Sequence, residues 1–197
     1  MTVQITRLSG NDILPCLDDL ARLRIEVFRA FPYLYEGSME YEQRYLSTYA
    51  NSPDSLFVLA RDGDRIIGAA TAIPMAHETD EFQQPFIEQG YDPERIFYFG
   101  ESVLLPDYRG QGIGVAFFDH REARARELGG VTHCCFCAVE RPHDHPARPE
   151  GYQPLDRFWQ NRGYHKVPEL NTTYSWTDVG DTRQSAKPMT FWLRALD

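Results

Sequence analysis

The stretch FYFGESVLLPDYRGQGIG, residues 97–114, decides the fold of this chain. Its first half is almost continuously apolar, which predicts a buried central strand over 95–105. Gly100 within this strand indicates a bulge or a close backbone approach. Glycines follow at positions 110, 112 and 114, directly before a helical pattern that runs to Leu128. A glycine-rich turn at a helix N-terminus presents unpaired backbone N–H groups to an anion, so the stretch predicts an anion site between a strand and a helix.

Other glycine-rich sites fit this turn less well. A dinucleotide-binding fold spaces its glycines as Gly-x-Gly-x-x-Gly, which the turn over 110–114 does not match. A P-loop places Lys-Ser or Lys-Thr after its glycines, and the turn has neither pair. A glycine turn that serves only helix packing is the remaining alternative, but the strand before the turn and the helix after it favour the anion site.

Outward from this stretch, apolar periodicity predicts the element order β-α-α-β-β-β-α-β-α-β-β. The segment 76–94 is predicted to be an insertion with a short helix, and 140–154 to be a long loop. This order is typical of a mixed sheet with helices packed on it. The predicted strands cover 3–8, 55–61, 65–75, 95–105, 131–139, 170–177 and 189–196, and the helices cover about 13–27, 39–50, 112–128 and 155–161.

Composition and charge restrict the class of protein. The length of 197 residues fits one domain over 1–197. The net charge of −9 disfavours a nucleic-acid partner, which wants a basic face. No apolar stretch approaches the roughly 18 residues of a membrane span. The N-terminus lacks the apolar run of a signal peptide, so we expect a cytoplasmic protein without a membrane partner.

The cysteines and histidines do not predict a metal site. Cys134, Cys135 and Cys137 lack the two-residue gap of a zinc knuckle, and we expect buried thiols in a reduced cell interior. A lone His-x-His pair on a loop, such as His143 and His145, is more often solvated or structural than metal-bound. We therefore expect no metal.

The glycine turn also carries a resemblance to a known family. Arg109-x-x-Gly112-x-Gly114 resembles the Arg/Gln-x-x-Gly-x-Gly/Ala signature of the GNAT superfamily of N-acetyltransferases. The segment RFWQNRGY, 157–164, resembles the family's late aromatic segment, and TFWL, 190–193, resembles its last strand. The element order agrees along nearly the whole chain. The resemblance implies an α/β fold whose mixed, mostly antiparallel central sheet splays between its fourth and fifth strands and is flanked by helices.

The same resemblance implies acetyl-CoA as the co-substrate, bound in the splay. The backbone of Val103 and Leu105 would pair with the pantetheine arm, and N–H groups from about Gln111 to Gly114 would hold the pyrophosphate, with Arg109 at the mouth. The second partner would be an amine-bearing acceptor, and because dimers are common in the family, a homodimer is an expectation. The predicted cofactor-binding residues are Val103, Leu104, Leu105, Arg109, Gly110, Gln111, Gly112, Ile113 and Gly114.

Acetyl transfer to an amine needs a base, an oxyanion donor and an acid for the leaving thiolate. Glu101, beside the predicted bulge, is the candidate base; the alternative is a glutamate that anchors a cationic substrate or pairs with a nearby arginine. A backbone N–H near Val103 would stabilise the oxyanion. The family's usual acid is a tyrosine at the position of Trp159, which cannot give up a proton usefully. Tyr152 is the candidate substitute, although Tyr164 and a thiolate that leaves without an acid are alternatives.

Aromatic residues are predicted to wall the acceptor site. Phe31, Tyr33 and Tyr35 lie in the linker 31–37, and Phe82 lies in the insertion 76–94. Such walls suit an apolar or cationic acceptor, although core packing explains the same residues. The sequence thus predicts an N-acetyltransferase in which a primary amine attacks acetyl-CoA directly in a ternary complex. The alternatives are a non-catalytic acyl-CoA-binding or sensing module and a nucleotide-binding protein.

Overall fold

The computed structural model describes residues 3–197. It contains one eight-stranded sheet with the strand order β1-β2-β3-β4-β6-β8-β7, while β5 pairs with β3 beside β4. The strands are β1 (Gln4–Leu8), β2 (Leu56–Asp62), β3 (Arg65–Pro74), β4 (Ile96–Tyr98), β5 (Ser102–Leu104), β6 (His133–Val139), β7 (His165–Thr177) and β8 (Gln184–Ala195). The helices are α1 (Leu17–Phe28), α2 (Met39–Ala50), α3 (Asp80–Glu88), α4 (Ile113–Leu128) and α5 (Asp156–Gln160).

The mixed, mostly antiparallel sheet flanked by helices confirms the predicted fold class. Three elements begin four or five residues away from the predicted position. The first helix begins as a 3₁₀ turn over Gly10–Cys16, because Pro15 lies there and disfavours an α-helical turn before it. β7 begins at His165, earlier than predicted, because a register shift between Val167 and Asn171 interrupts its alternating pattern. β8 begins at Gln184, also earlier than predicted, where its first residues pair with the end of β7. Residues 1 and 2, adjoining the predicted first strand, lie outside the described part of the chain.

The predicted central strand 95–105 is broken into β4 and β5. Both halves pair with β3: Ser102 to Leu104 lie opposite Ala70 to Gly68, and Phe97 and Tyr98 lie opposite Pro74 and Ile73. Only β4 continues the sheet on its other side, where it pairs in parallel with β6. The two strands that were predicted as the fourth and fifth therefore separate beyond Phe99, which confirms the splay.

Gly100 lies at this break because no side chain fits there. A Cβ on Gly100 would lie 2.1 Å from the Tyr49 hydroxyl and 2.8 Å from Thr71 Oγ1. The backbone follows a bulged path, in which Gly100 N–H donates to the Thr71 carbonyl at 3.2 Å and Thr71 N–H donates to the Glu101 carbonyl at 3.1 Å. The bulge expected from the sequence is thus the point where the sheet opens.

The remaining structural observations concern membranes, metals and cysteines. Within 3–197, no helix combines the length and apolarity that a membrane crossing requires. The same residues contain no group of three or more His, Cys, Asp or Glu side chains arranged for a metal ion. Cys134, Cys135 and Cys137 are free thiols buried on β6, and burial is the main cause that raises the pKa of each. The cytoplasmic location and the homodimer stay predictions.

Candidate active site

Two cavities meet at the break between β4 and β5. The larger is a cleft of about 760 Å³ between β5 and β6, and it extends to the N-terminus of α4. The smaller is a pocket of about 280 Å³ on the side of α1, α2 and α3. The residues that line both cavities are Phe28, Tyr33, Gly100, Glu101 and Cys137. A molecule in one cavity can therefore meet a molecule in the other beside the bulge.

The glycine turn forms one end of the larger cleft. Gly110 has φ +74° and Gly112 has φ +82°, in the left-handed region that favours glycine. The first hydrogen bond of α4 runs from Ala116 N–H to the Gly112 carbonyl at 3.1 Å. The N–H groups from Gly112 to Val115 consequently have no partner inside the helix. This arrangement can hold an anion at the positive end of the helix dipole.

The predicted cofactor residues of this turn contribute in different ways. Arg109, Gly110, Gly112 and Gly114 line the cleft, and the Arg109 guanidinium contacts the Leu104 carbonyl with its Nη2 at 3.3 Å. Ile113 instead places its side chain in the core, where it is 5% exposed. The side chains of Gln111 and Ile113 do not line the cleft, so only their backbone N–H groups are available to a ligand there.

The open edge of β5 lies at residues other than Val103 and Leu105, which were predicted to pair with the pantetheine arm. Leu105 N–H donates to the Ile67 carbonyl of β3, and the Glu101 carbonyl accepts from Thr71 of the same strand. In an antiparallel pair alternate residues point their backbone groups at the partner, so Val103 also points toward β3. Neither Val103 nor Leu105 lines the cleft, whereas Ser102 and Leu104 do. Ser102 and Leu104 therefore present the free backbone edge, and an oxyanion donor from this segment would belong to them rather than to Val103.

Arg121 of α4 holds the broken strand in place and was not identified from the sequence. Its guanidinium is 1% exposed and donates to the carbonyls of Glu101 at 3.1 Å and Thr71 at 3.4 Å and to Ser102 Oγ at 2.9 Å. Burial lowers the pKa of Arg121 to about 10. The signal in the sequence is its position four residues after Phe117, on the apolar face of the helix.

Glu101 is paired with a buried arginine. Glu101 Oε1 lies 2.6 Å from Arg24 Nη1 of α1, and the Tyr45 hydroxyl donates to Oε2 at 3.0 Å. Arg24 also pairs with the fully buried Glu42 of α2. Burial would lower the pKa of Arg24, but the charges of Glu101 and Glu42 raise it well above its ordinary value. The pairing with an arginine that the sequence left open is therefore present, and it holds the Glu101 carboxylate at the junction of the two cavities.

The smaller pocket is lined by aromatic side chains, but they are not the same set that the sequence predicted for the acceptor site. Tyr33, Tyr35 and Phe82 line it. Phe31 lines the larger cleft instead, where its ring packs against Tyr152 at 4.8 Å between ring centroids. The other aromatic side chains of the pocket are Phe28, Tyr41, Tyr45, Tyr49, Tyr98, Tyr174 and Trp176.

A second carboxylate in this pocket was missed by the sequence analysis. Glu78 lies just before α3, where the Tyr49 hydroxyl donates to its Oε1 at 2.7 Å and Thr79 N–H contacts its Oε2 at 3.3 Å. Burial is the largest cause that raises the pKa of Glu78, and the nearby charges of Glu101 and Glu81 raise it further. Nothing in the local sequence distinguishes Glu78 from the other acidic residues of the insertion 76–94.

Tyr152 and Trp159 both lie along the larger cleft. Tyr152 is half-buried beneath the Arg148 guanidinium, which is 4.9 Å from its ring centroid, and burial raises the pKa of Tyr152. Trp159 packs between Phe136 and Trp192, with ring centroids 5.0 Å away in each case. Tyr164 is a buried core residue whose hydroxyl donates to Glu122. Among the candidate acids, Tyr152 is thus the one whose side chain borders the cleft.

Arg141 fastens the linker that carries Tyr33. Its guanidinium donates to the carbonyls of Pro32 and Tyr33, each at 2.8 Å, and forms two hydrogen bonds with Asp178 in the β7–β8 hairpin. Buried Lys187 lies 3.1 Å from the same carboxylate. The charges of Arg141 and Lys187 lower the pKa of Asp178 despite the opposing effect of burial. The wall shared by both cavities therefore depends on an ion cluster whose Arg141 also lines the larger cleft.

Comparisons with known proteins were made at the level of sequence families and of structures. The family model described as "Acetyltransferase (GNAT) family" matches residues 19–149. A comparison with curated proteins finds no match.

Solved structures resemble the chain over nearly its full length at low sequence identity. An acetyltransferase from Thermus thermophilus is 18% identical with a TM-score of 0.56, covering 100% of this chain and 98% of its own. NAA60 from Arabidopsis thaliana, solved with a bisubstrate analogue, is 14% identical with a TM-score of 0.60, covering 98% and 100%. Salmonella typhimurium yncA, solved with its cofactor acetyl-CoA, is 10% identical with a TM-score of 0.56, covering 98% and 94%. At these identities the likeness shows the fold alone.

Proposed function

The chain belongs to the GNAT acetyltransferase family, and on that premise we propose that it transfers an acetyl group from acetyl-CoA to the primary amine of an acceptor. The transfer occurs by direct attack in a ternary complex. The observation that carries this proposal is the meeting of two cavities at Gly100 and Glu101. One cavity suits a long phosphorylated donor and the other a compact acceptor, so neither substrate has to leave before the other binds.

The donor's place is supported by the backbone of the larger cleft. The pyrophosphate binds the N–H groups before Ala116, and the pantetheine arm pairs with the free edge at Ser102 and Leu104. The thioester then reaches the bulge, where the acceptor pocket opens. The solved yncA structure, which contains its cofactor acetyl-CoA, supports the choice of donor. Arg109 moves from the Leu104 carbonyl to the phosphates.

The acceptor's class is supported by the lining of the smaller pocket. Glu78 and Glu101 bring negative charge to it, while the buried arginine within it, Arg24, is already paired with two carboxylates. Aromatic faces attract cations electrostatically, and carboxylates compensate a buried ammonium. A primary amine that enters in its protonated form therefore fits this pocket.

Two side chains move the protons in this proposal. Glu101 takes one proton from the ammonium, and the neutral nitrogen attacks the thioester carbonyl carbon. The carbon–nitrogen bond forms, the carbon–sulfur bond breaks with its electron pair on sulfur, and Tyr152 protonates the thiolate. The second nitrogen proton restores Tyr152 through solvent. Arg24 pairs with the Glu101 carboxylate and holds it at the junction of the two cavities.

A non-catalytic acyl-CoA sensor is the second candidate function. Trp159 at the position of the usual acid and the engagement of Glu101 by Arg24 favour it. A sensor would be stabilised by acetyl-CoA through mass action, without turnover.

Thiol release measured on a panel of amines and peptides with acetyl-CoA tests the two functions. An enzyme releases CoA with at least one acceptor, and Glu101→Gln lowers that rate about 10²-fold or more while acetyl-CoA affinity is retained. A sensor releases none, although acetyl-CoA raises its melting temperature. If the whole panel gives no thiol and acetyl-CoA leaves the melting temperature unchanged, both functions are ruled out.

A further inference from the structure

Glu78 is a carboxylate of the acceptor pocket that the proposed mechanism does not use. It follows the 3₁₀ turn Met75–His77 at the end of β3, and its neighbours Thr79 and Phe82 line the pocket with it. Hydrogen bonds from Tyr49 at 2.7 Å and from the Thr79 backbone at 3.3 Å fix the orientation of both carboxylate oxygens. Its partial exposure leaves a route for proton exchange with solvent.

A continuous row of hydroxyl groups joins Glu78 to Glu101. Glu101 Oε2 lies 3.0 Å from the Tyr45 hydroxyl, which lies 3.2 Å from the Tyr49 hydroxyl, which in turn lies 2.7 Å from Glu78 Oε1. Tyr45 and Tyr49 are four residues apart on α2, so both hydroxyls project from one face of that helix. The Tyr49 hydroxyl occupies the space that a side chain at position 100 would need. Gly100 therefore keeps this row of groups unbroken across the bulge.

The two carboxylates at the ends of the row differ in their partners. Glu101 is bound to Arg24, whereas no arginine or lysine of residues 3–197 lies within salt-bridge distance of Glu78. Arg44 also lines the pocket, but it pairs with the exposed Glu40. The titratable and charged groups near Glu78 are Tyr45 and Tyr49 from α2, Tyr98 from β4, Cys135 and Cys137 from β6, Glu101 from the bulge, and Glu81 at the start of α3. Burial and the two like charges raise the pKa of Glu78, so it retains a proton more readily than an ordinary carboxylate does.

We propose that Glu78 is the proton sink of the acetyl transfer and that Tyr45 and Tyr49 carry the proton to it from Glu101. This inference rests on the proposed function. Glu101, having taken a proton from the amine, gives it to the Tyr45 oxygen. Tyr45 passes its own proton to the Tyr49 oxygen, and Tyr49 passes its own to Glu78. One proton has then moved between the carboxylates, both tyrosines are neutral again, and no electron has been transferred.

The relay restores the ion pair between Glu101 and Arg24 during the reaction. A protonated Glu101 would leave the buried guanidinium of Arg24 without one of its two counter-charges, which is costly in a buried site. Passing the proton to Glu78 restores the ion pair during the reaction. Glu78 then releases the proton to solvent at the exposed side of the pocket.

Steady-state kinetics of Glu78→Gln and Tyr49→Phe, with the best amine of the panel, test this relay. Each change interrupts the row while it preserves the size of the side chain, so we expect kcat to fall about tenfold or more at unchanged acetyl-CoA affinity. The double variant should be no slower than the slower single variant, because both changes break one pathway. Glu88→Gln and Tyr91→Phe are the matched controls, which lie outside the row and outside the groups that face Glu78, and should keep kcat within about twofold.

The pH profile separates a relay from a structural role. Glu78 must be ionised to receive a proton, so wild-type kcat falls as pH falls through the pKa of Glu78, and Glu78→Gln should lose that acid limb. If the folded variants, checked by their melting temperatures, keep the wild-type rate and acid limb, the relay is overturned while the acetyl transfer stands. If the wild-type protein releases no thiol with any amine, the acetyl transfer itself fails and the relay falls with it.

Discussion

The two cavities that meet at the bulge, the proposed donor cleft and the proposed acceptor pocket, would recognise their ligands by different means. The donor cleft offers mainly backbone groups: the free edge at Ser102 and Leu104 and the unpaired N–H groups before Ala116, all from one stretch of chain. The acceptor pocket offers side chains from α1, α2, α3 and the β7 region, which are far apart in sequence. Backbone recognition depends on glycine spacing and strand geometry, whereas side-chain recognition depends on packing between distant elements. Backbone recognition can stay the same as a local pattern, whereas the side chains of a pocket can change with the acceptor.

The largest effect is expected from the removal of Arg24, the positive charge that pairs with two carboxylates at the acceptor pocket. Arg24→Met leaves Glu42 and Glu101 buried without their common partner, so the free energy of unfolding should fall by about 3–5 kcal/mol. Urea denaturation measures this loss. Arg22→Met on the same helix removes only an exposed pair with Asp19 and should change stability by less than about 0.5 kcal/mol. Equal losses in the two variants would contradict the account.

The next effect concerns the ion cluster that fastens the wall shared by both cavities. Asp178→Asn removes charged hydrogen bonds from Arg141 and Lys187 and should cost about 1.5–3 kcal/mol at neutral pH. Because the folded pKa of Asp178 is lowered, its stabilisation is present above the unfolded pKa of about 3.9 and is lost as pH falls through the lower folded value.

Unfolding free energies of wild type and Asp178→Asn across pH measure this difference. The gap between them should be largest near neutral pH and close in acid. The control is Asp181→Asn, an exposed residue of the same hairpin, which should show no such gap. A gap for Asp178→Asn that stays constant down to strongly acidic pH would refute the assignment.

A smaller effect is expected on the donor side, where a single backbone position is altered. Gly112→Val places a β-branched residue at φ +82°, at a cost of about 2 kcal/mol, and it projects a side chain into the cleft. We expect the acetyl-CoA dissociation constant to rise about 30-fold, measured by calorimetric titration. Gly180→Val, at φ +90° in the β7–β8 hairpin, is equally strained but distant and should bind acetyl-CoA normally. Equal binding by both variants would remove the glycine turn from the donor site.

The smallest effect is expected for the acid. Tyr152→Phe should lower kcat about tenfold, at the lower end of or below the usual range for acid–base groups, because a thiolate leaves readily without protonation. Initial rates and acetyl-CoA affinity measured together check this, since affinity should be unchanged. An unchanged kcat would mean that the thiolate leaves without help from Tyr152.

The sequence predicted the donor side more completely than the acceptor side for physical reasons. The glycine spacing and the apolar strand are local patterns, so the anion site followed from them, whereas the splay was expected from the family resemblance. In the structure, however, Ser102 and Leu104 face the open edge of β5, one residue out of step with Val103 and Leu105. The sequence located the bulge but did not determine this parity.

The acceptor pocket was predicted only as a set of aromatic residues. Phe31 and Tyr33 are two residues apart in one linker, yet only Tyr33 lines the smaller pocket, where Arg141, itself bound to Asp178, holds the Tyr33 carbonyl. Arg24 and Arg121 lie on the apolar faces of their helices. That position predicts that each arginine is buried, but it does not identify the partners of its guanidinium. No local sequence pattern identifies Glu78 as a pocket residue, because its orientation depends on a hydrogen bond from Tyr49 of α2.

A crystal structure of the protein with CoA bound tests the central claim most directly. The account predicts the pyrophosphate at the N–H groups from Gly112 to Val115, the pantetheine paired with Ser102 and Leu104, and the sulfur beside Gly100 where the acceptor pocket opens. Pantetheine paired with Val103 and Leu105, or CoA bound away from the gap between β5 and β6, would contradict it.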